Sequence, residues 1–171
     1  MRIFGRDDNC KSTTLEAHPS PFRHELIEVA SPDDWCSYHA IRRTILFEAR
    51  GLFGVYQENN ADEFKSDNHP LLLKFNGRAI GTTRLDILGG SRGVVRLVAI
   101  THDLQRQGHG RELSNRTEHF ARAHGVRTLL VNATRDAVGY YEKMGWARFN
   151  WDPSELRGLA ADNVQMRKSL S

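Results

Sequence analysis

Two glycines lie two residues apart in the stretch DLQRQGHGREL, which spans residues 103–113. An apolar run ends at Ile100 just before this stretch, and a helical pattern begins just after it. The first amides of a helix have no partner within the helix, and the helix dipole adds about half a positive charge at that end. Because Gly108 and Gly110 have no side chain, the backbone there can approach a pyrophosphate closely. The stretch predicts a phosphate-binding loop, although two glycines can also serve only to begin a helix.

Competing motifs for phosphate and metal binding are missing from the sequence. It contains neither the G-x-x-x-x-G-K-[ST] pattern of a P-loop nor the G-x-G-x-x-G pattern of a dinucleotide fold. The histidines show no HExxH spacing, and Cys10 and Cys36 are isolated, so we expect no metal site. We expect His109 to be a solvent-exposed neighbour of the phosphates rather than a metal ligand.

Length and composition indicate one soluble globular domain. The chain has 171 residues, of which 39% are hydrophobic and 26% are charged. Its net charge of +3 permits an anionic ligand but is too small to indicate nucleic-acid binding. No apolar stretch reaches the roughly 18 residues of a membrane span. With only two cysteines, a reducing cytoplasmic location is expected. We expect residues 1–22 to be a flexible polar tail and residues 23–171 to form the domain.

The order of apolar and helical patterns predicts an α/β sandwich around one mixed, mostly antiparallel sheet. A helix is expected over 31–51, with Ser31 as its N-cap and Gly51 as its end. Two more helices should follow the glycine loop, ending near His124 and Gly145. An Asn76-Gly77 turn predicts a hairpin, and the nearly unbroken apolar run 94–100 predicts a strand buried on both faces. Strands are expected at 24–30, 70–75, 78–88, 94–100, 126–133, 146–150 and 163–170, with an irregular segment at 52–69.

Two motifs in this order resemble the GNAT superfamily of acyl-CoA-dependent N-acyltransferases. Gln105 to Gly110 is similar to that family's Q/R-x-x-G-x-G/A pyrophosphate loop. The stretch ATRDAVGYYEKMGW, residues 133–146, is similar to the family's A-x-x-[FY]-Y-x-x-x-G-[FW] segment. The second motif is matched by Ala137, Tyr140, Tyr141, Gly145 and Trp146. The resemblance implies a GNAT-like fold, in which two central strands splay apart and hold acetyl-CoA as co-substrate between them.

The resemblance also implies which residues bind the cofactor. The pantetheine arm of acetyl-CoA would pair with the backbone of Leu97, Val98, Ala99 and Ile100. The pyrophosphate would lie on the loop formed by Gln105, Arg106, Gln107, Gly108, His109, Gly110 and Arg111. Asn132, at the end of the second splayed strand, matches a position that often hydrogen-bonds the cofactor. Thr134 departs from the family, which frequently has asparagine there, so this contact depends on a hydroxyl.

Tyr141 matches the tyrosine that faces the thioester sulfur in the family. A phenol, with an ordinary pKa of about 10, suits a proton donor to the departing CoA thiolate. A backbone amide near Val98 could stabilise the oxyanion that develops during attack. Neighbouring helical residues point about 100° apart, so we assign Tyr140 to packing and Tyr141 to the cleft. Packing alone is the alternative for both tyrosines.

The base that deprotonates the amine is not evident in the sequence. Glu58, Asp62, Glu63, Asp67 and His69 are candidates on the irregular segment, although a solvated surface charge is the expected role of each. The central strand offers Arg96 and no carboxylate, which leaves deprotonation through water open.

Three functions compete at this level. The leading one is transfer of an acetyl group from acetyl-CoA to a primary amine, either a small molecule or a protein amino group. The second is a non-catalytic acyl-CoA sensor. The third is a nucleic-acid binder that uses Arg106, Arg111, Arg116 and Arg122, but these arginines border the glycine loop and can equally serve the phosphates of CoA. We expect no nucleic-acid or membrane partner, while the acceptor and a homodimer remain open.

Overall fold

A computed structural model describes residues 23–171, which form one seven-stranded sheet in the order β1-β2-β3-β4-β5-β7-β6. Its strands are β1 His24–Glu28, β2 Asn68–Phe75, β3 Arg78–Leu88, β4 Arg92–Ile100, β5 Thr128–Ala133, β6 Ala147–Arg148 and β7 Val164–Ser169. Only β4 and β5 pair in parallel within this sheet, so the predicted mixed, mostly antiparallel sheet is confirmed. The expected tail over 1–22 lies outside the described residues.

Helix α1, Pro32–Arg42, begins as the sequence predicts, because the Asp34 amide donates to the Ser31 hydroxyl at 3.1 Å. The expected continuation as one α-helix to Gly51 is wrong. Beyond Arg42 the chain forms a π-helical turn, Arg43–Phe47, and then a 3₁₀ turn, Glu48–Arg50. Gly51 ends the segment with a left-handed φ of +76°. No glycine or proline interrupts this stretch, so the sequence carries no sign of where the hydrogen bonding changes.

The hairpin between β2 and β3 has the predicted geometry. Asn76 and Gly77 both have positive φ, at 49° and 83°, as the central residues of a type I′ turn require. Three consecutive leucines in β2 then alternate between the two faces of the sheet. Leu71 and Leu73 pack in hydrophobic clusters on one face of the sheet, with Ala121 and Leu113 respectively. Leu72 packs on the other face, in the cluster that contains residues of α1.

Helices α2, His109–Ala123, and α3, Val138–Lys143, cover the face opposite α1. The sequence spacing of Leu113, Thr117, Phe120 and His124 predicts one buried stripe on α2. Leu113 and Thr117 are buried and Phe120 is partly buried, but His124 is exposed, so the prediction is wrong at that position. None of the helices in residues 23–171 combines the length and apolarity that crossing a bilayer requires. The two helical layers leave the middle of the sheet as the place where a site can form.

Strands β4 and β5 part in the middle of the sheet. Their pairing runs from Arg92 and Thr128 to Val95 and Val131, and does not continue to the end of β4. On the other edge of β4 a bulge sets Leu97 and Val98 opposite the single residue Thr83, and Leu97 has a φ of +54°. The expectation that β4 is buried on both faces is therefore wrong at its centre, where the Leu97 side chain is 37% exposed.

Gly81 tests how closely β3 and β4 pack beside the bulge. A Cβ atom on Gly81 would lie 2.5 Å from Ile100 Cδ1 and 3.0 Å from the Ala99 carbonyl oxygen. We expect Gly81→Ala to lower the free energy of unfolding by about 1–3 kcal/mol, measured by urea denaturation. Gly89→Ala is the matched control, because a Cβ atom there meets nothing within 4 Å. Equal stability of the two variants would contradict this account of the packing.

Candidate active site

A cavity of about 1010 Å³ opens where β4 and β5 part. Five of the predicted site residues line it, namely Leu97, Val98, Asn132, Thr134 and Tyr141. Ala99 and Ile100 do not line it, because their side chains are buried in the core. Strand β4, strand β5 and helix α3 thus bring the predicted backbone segment and the predicted catalytic side chain to one place.

Tyr141 lies at the boundary between the two faces of the sheet. Its side chain is 7% exposed, its ring contacts Trp146 edge to face at 5.3 Å, and it lines both the large cavity and a small void of about 10 Å³ beside α2. Its hydroxyl has no hydrogen-bond partner within residues 23–171. Burial raises the pKa of the phenol well above its ordinary value of 10, so the hydroxyl stays protonated at neutral pH. Such a group can donate a proton but is a poor base.

Tyr140 has a different environment from Tyr141. Its hydroxyl forms a 2.9 Å hydrogen bond with the Ser114 hydroxyl, and this bond links α3 to α2. The side chain is 36% exposed and does not line the large cavity.

The glycine loop has the open backbone that an anion needs. Gly108 adopts a φ of +89° immediately before α2, and a Cβ atom there would meet nothing within 4 Å. The amides of His109, Gly110 and Arg111 have no backbone acceptor in the described chain. Arg106 and Arg111 form no ion pair with any described residue, whereas Arg116 pairs with Glu112 at 2.6 Å and Arg122 pairs with Glu118 at 3.7 Å. The free amides and the two arginines make the mouth of this loop positive.

The two glutamines of the loop hold its shape. The Gln105 Nε2 atom donates to the Ile100 carbonyl at 2.9 Å, and the Gln107 Nε2 atom donates to the Asp103 carbonyl at 2.8 Å. Gln105 thus ties the loop to the end of β4, and Gln107 ties it to the turn that follows β4, so their contribution to an anion site is through the backbone they position.

The expected solvent exposure of His109 is wrong. Its side chain is only 7% exposed, contacts the ring of Phe75 and hydrogen-bonds through Nδ1 to His24 Nε2 at 2.8 Å. The helical turn after Gly108 directs the side chain toward β1 and away from the loop mouth. Burial lowers the pKa of His24, which favours the neutral imidazole that this contact needs. Within the described residues, no three or more His, Cys, Asp or Glu side chains come together in a group that could hold a metal ion.

A chain of ion pairs forms the floor of the cavity, and few features of the sequence indicate it. Arg84 on β3 bonds both Glu63 at 2.7 Å and Asp86 at 2.6 Å. Arg96 on β4 bonds Asp86 at 2.5 Å and donates hydrogen bonds to both carboxylate oxygens of Glu155, at 2.6 and 2.9 Å. The chain starts at Arg42, which is fully buried and bonds Glu63 at 2.7 Å. Three guanidinium groups therefore alternate with three carboxylates and leave the floor without net charge.

Three of the four carboxylates named as base candidates are paired with cations, and Asp67 forms no ion pair within the described residues. Glu63 is 5% exposed, so its expected role as a surface charge is wrong. Burial by itself raises the pKa of this carboxyl, but Arg42 and Arg84 outweigh burial and hold the pKa below its usual range. Glu58 pairs with Arg43 and Asp62 pairs with Lys65. Asp62 and Asp67 lie at the cavity wall, whereas Glu58 does not line it.

His69 lies away from the cavity. It bonds Glu28 at 2.7 Å and packs edge to face on Phe120 of α2, on the opposite face of the sheet. Among the candidates on the irregular segment, Asp67 is the carboxylate that lines the cavity and forms no ion pair within the described residues, so it is the one placed to accept a proton there. The sequence alone does not single it out.

Among the charged residues of the cavity floor, Glu63 is the one whose removal should destabilise the fold most. In Glu63→Ala, Arg42 loses its carboxylate partner while fully buried, and we expect the free energy of unfolding to fall by about 3–5 kcal/mol. The depressed pKa means that the contribution of Glu63 is complete above pH 4.5 and is lost as the pH falls through the folded-state pKa. Urea denaturation at pH 7 and at decreasing pH measures both effects. The control is Glu58→Ala, since that ion pair is exposed; a similar loss there would contradict the assignment.

Comparisons with known proteins identify relatives of this architecture. Residues 52–170 match the family model described as the acetyltransferase (GNAT) domain. A Bacillus subtilis protein with a provisional acetyltransferase assignment is 22% identical over 119 residues, which is 70% of this chain and 80% of that protein.

Solved structures show the same fold. A protein from Lactobacillus plantarum with a provisional N-acetyltransferase assignment has a TM-score of 0.73 at 22% identity, over 86% of this chain and 99% of that one. The Thermoplasma acidophilum paia N-acetyltransferase, solved in complex with coenzyme A, has a TM-score of 0.67 at 14% identity, over 86% and 99% of the two chains.

Proposed function

Because this chain belongs to the GNAT acetyltransferase family, we propose that it transfers an acetyl group from acetyl-CoA to a primary amine by direct attack. The observation that carries this proposal is the placement of Tyr141 beside the gap between β4 and β5, where it lines the cavity. A cofactor between the strands and an acceptor in the cavity would meet at this tyrosine.

Acetyl-CoA would bind along the chain from the gap to the glycine loop. The edge of β4 that no longer pairs with β5 would offer backbone partners to the amides of pantetheine from Leu97 to Ala99. The Ile100 carbonyl is less available, because it already accepts from the Gln105 side chain. The pyrophosphate would accept from the free amides at the start of α2, next to Arg106 and Arg111. Asn132 is less available than the resemblance implies, because its amide group already donates to Glu155 at 3.2 Å and accepts from Gln165 at 3.0 Å.

The transfer itself forms a carbon–nitrogen bond and breaks the carbon–sulfur bond of the thioester. The neutral amine attacks the carbonyl carbon, and the amide of Val98, next to the strained Leu97, would stabilise the oxyanion. CoA leaves as a thiolate and takes the proton of the Tyr141 hydroxyl, while the new amide nitrogen loses its proton to water, from which a proton returns to the Tyr141 oxygen. Supporting this assignment, Tyr141 stays protonated at neutral pH and its hydroxyl has no other partner in the described chain.

An acetylation screen tests the proposal directly. Purified protein is mixed with acetyl-CoA and amines of separate classes, including amino acids, polyamines, aminoglycosides and peptides, and thiol release is followed. Release that depends on an amine supports acyl transfer. Saturable CoA binding without release for any class would instead indicate a non-catalytic acyl-CoA sensor, and salt-sensitive DNA binding that CoA does not displace would indicate a nucleic-acid function.

Gly110 provides a test of the pyrophosphate site. Its φ is not in the left-handed region, and an added Cβ atom would lie an acceptable 3.6 Å from the Tyr140 hydroxyl. A valine side chain in Gly110→Val would occupy the place of the phosphates, so we expect the Kd for CoA to rise at least about tenfold with little loss of stability, as seen by calorimetry. Gly139→Val is a control at an open glycine of α3. Unchanged CoA affinity in Gly110→Val would refute the site.

Tyr141→Phe removes only the proposed proton donor. The ring stays in the core against Trp146, so the fold and the affinity for acetyl-CoA should persist while turnover falls by about a hundred- to ten-thousandfold. Steady-state kinetics with an acceptor from the screen measure this change. Tyr140→Phe loses the bond to Ser114 and should turn over nearly as the parent does. If Tyr140→Phe is the damaged variant, the roles of the two tyrosines are reversed; if neither is damaged, Tyr141 only packs.

A further inference from the structure

The connection between β6 and β7, residues 149–163, forms part of the wall of the cavity. It contains two short 3₁₀ turns, Pro153–Glu155 and Gly158–Ala160. The cavity is lined by four of its residues, namely Glu155, Leu159, Ala160 and Asn163. The Leu159 side chain is 68% exposed, so this connection presents an apolar group at the opening.

Side chains attach this connection firmly to β5. The Trp151 Nε1 atom donates to the Val131 carbonyl at 3.3 Å, and the Asn163 Nδ2 atom donates to the Asn132 carbonyl at 3.3 Å. Gln165 on β7 adds support, because its side-chain oxygen accepts from the Trp151 and Asp152 amides at 2.9 and 3.0 Å. These bonds fix both ends of the connection on one side of the gap.

Glu155 reaches the other side of the gap. Both oxygens of its carboxylate accept hydrogen bonds from the Arg96 guanidinium of β4, at 2.6 and 2.9 Å. One of them also accepts from the side-chain amide of Asn132 on β5, at 3.2 Å. The backbone pairing of the two strands ends at Val95 and Val131, one residue before Arg96 and Asn132. The carboxylate therefore bridges the strands at the first position where their backbones no longer do.

Arg96 is a rigid partner for this bridge. It bonds Asp86 at 2.5 Å, and Asp86 is held in turn by Arg84, so the guanidinium is fixed on the floor before Glu155 reaches it. Bidentate hydrogen bonds between an arginine and a carboxylate are shorter and stronger than hydrogen bonds between neutral groups. The side chains of Arg96 and Glu155 are 24% and 27% exposed, so solvent screens this pair only partly.

We propose that Glu155 is a positioning residue of acyl transfer, whose bridge from Arg96 to Asn132 holds residues 149–163 as a wall that limits the access of water to the thioester. The proposal rests on the proposed function, since it assumes a thioester in the gap. It assigns Glu155 no contact with the reacting atoms. The Arg96 guanidinium lowers the pKa of its carboxyl, so the carboxylate is not suited to act as the base.

Glu155→Ala tests the bridge by two independent measurements. Hydrogen exchange of the amides of 149–163, measured by mass spectrometry without any ligand, should become at least about tenfold faster, because the connection loses its bond to β4. Hydrolysis of acetyl-CoA without an amine, followed by thiol release, should rise by about fivefold or more, because water reaches the thioester. The Kd for CoA, measured by calorimetry, should stay within about twofold of the parent. A rise in a rate distinguishes the wall from general damage, which only lowers rates.

Glu142→Ala is the matched control, since it removes a carboxylate that bonds Arg148 at 3.2 Å outside the cavity. It should change neither exchange in 149–163 nor hydrolysis. Glu155→Gln keeps the side-chain size and one oxygen for Arg96, and it serves if Glu155→Ala fails to fold. It should show both effects to a smaller degree.

The outcomes separate the two proposals. Parent-like exchange and hydrolysis in both Glu155 variants would overturn the bridge, even if acetyl-CoA binds. Faster exchange with unchanged hydrolysis would also overturn it, because Glu155 would then only stabilise the connection. A parent protein that binds no CoA would refute the proposed function and with it the role at the thioester, whereas the exchange measurement would still decide whether Glu155 holds the connection to β4.

Discussion

The end of pairing between β4 and β5 is the constraint on which the site depends. Backbone polar groups that leave a sheet must find other partners, or the loss of hydrogen bonds destabilises the fold. On β5, the Asn163 side chain supplies such a partner to the Asn132 carbonyl. On β4, the bulge at Leu97 and Val98 turns the strand away, and its edge from Leu97 to Ala99 stays available for a ligand. The two borders of the gap therefore differ, since the carbonyl on the β5 side has a partner within the chain.

The charged floor follows from the same opening. A sheet face that borders a cavity is neither core nor free surface, and buried charges there need partners to offset their desolvation. Alternation of Arg42, Arg84 and Arg96 with three carboxylates meets this need without leaving net charge. One consequence concerns the chemistry: the bound guanidinium groups lower the pKa values of Glu63 and Glu155, which therefore accept protons poorly. This agrees with a mechanism in which water, rather than a floor carboxylate, takes the proton of the amine.

Local patterns made much of the fold predictable from the sequence. The Asn76-Gly77 turn and the Ser31 cap each depend on residues close in sequence, and each is present in the structure. The bulge at Leu97 was not predictable, because leucine gives no sign of a positive φ. The polar alternation of Arg84 and Asp86 within apolar β3 was a signal for the floor, but its partners Glu63 and Glu155 are distant in sequence. His109 shows the same limit, since its burial depends on His24 and Phe75.

The leucine triplet of β2 carries a consequence for how the chain can vary. Leu71 and Leu73 belong to the clusters opposite α1, while Leu72 belongs to the α1 cluster, so each neighbour in sequence serves a different layer. Shifting the pairing of β2 by one residue would turn all three side chains to the opposite face of the sheet. Because the three residues are all leucine, a leucine would still occupy the central position on each face. Hydrophobicity in the triplet itself therefore discriminates poorly between the two alignments. The type I′ turn at Asn76 and Gly77, together with the polar residues near the ends of β2, must specify the register. This hairpin should therefore not tolerate insertion of a single residue, whereas the irregular segment 52–60 could accommodate one.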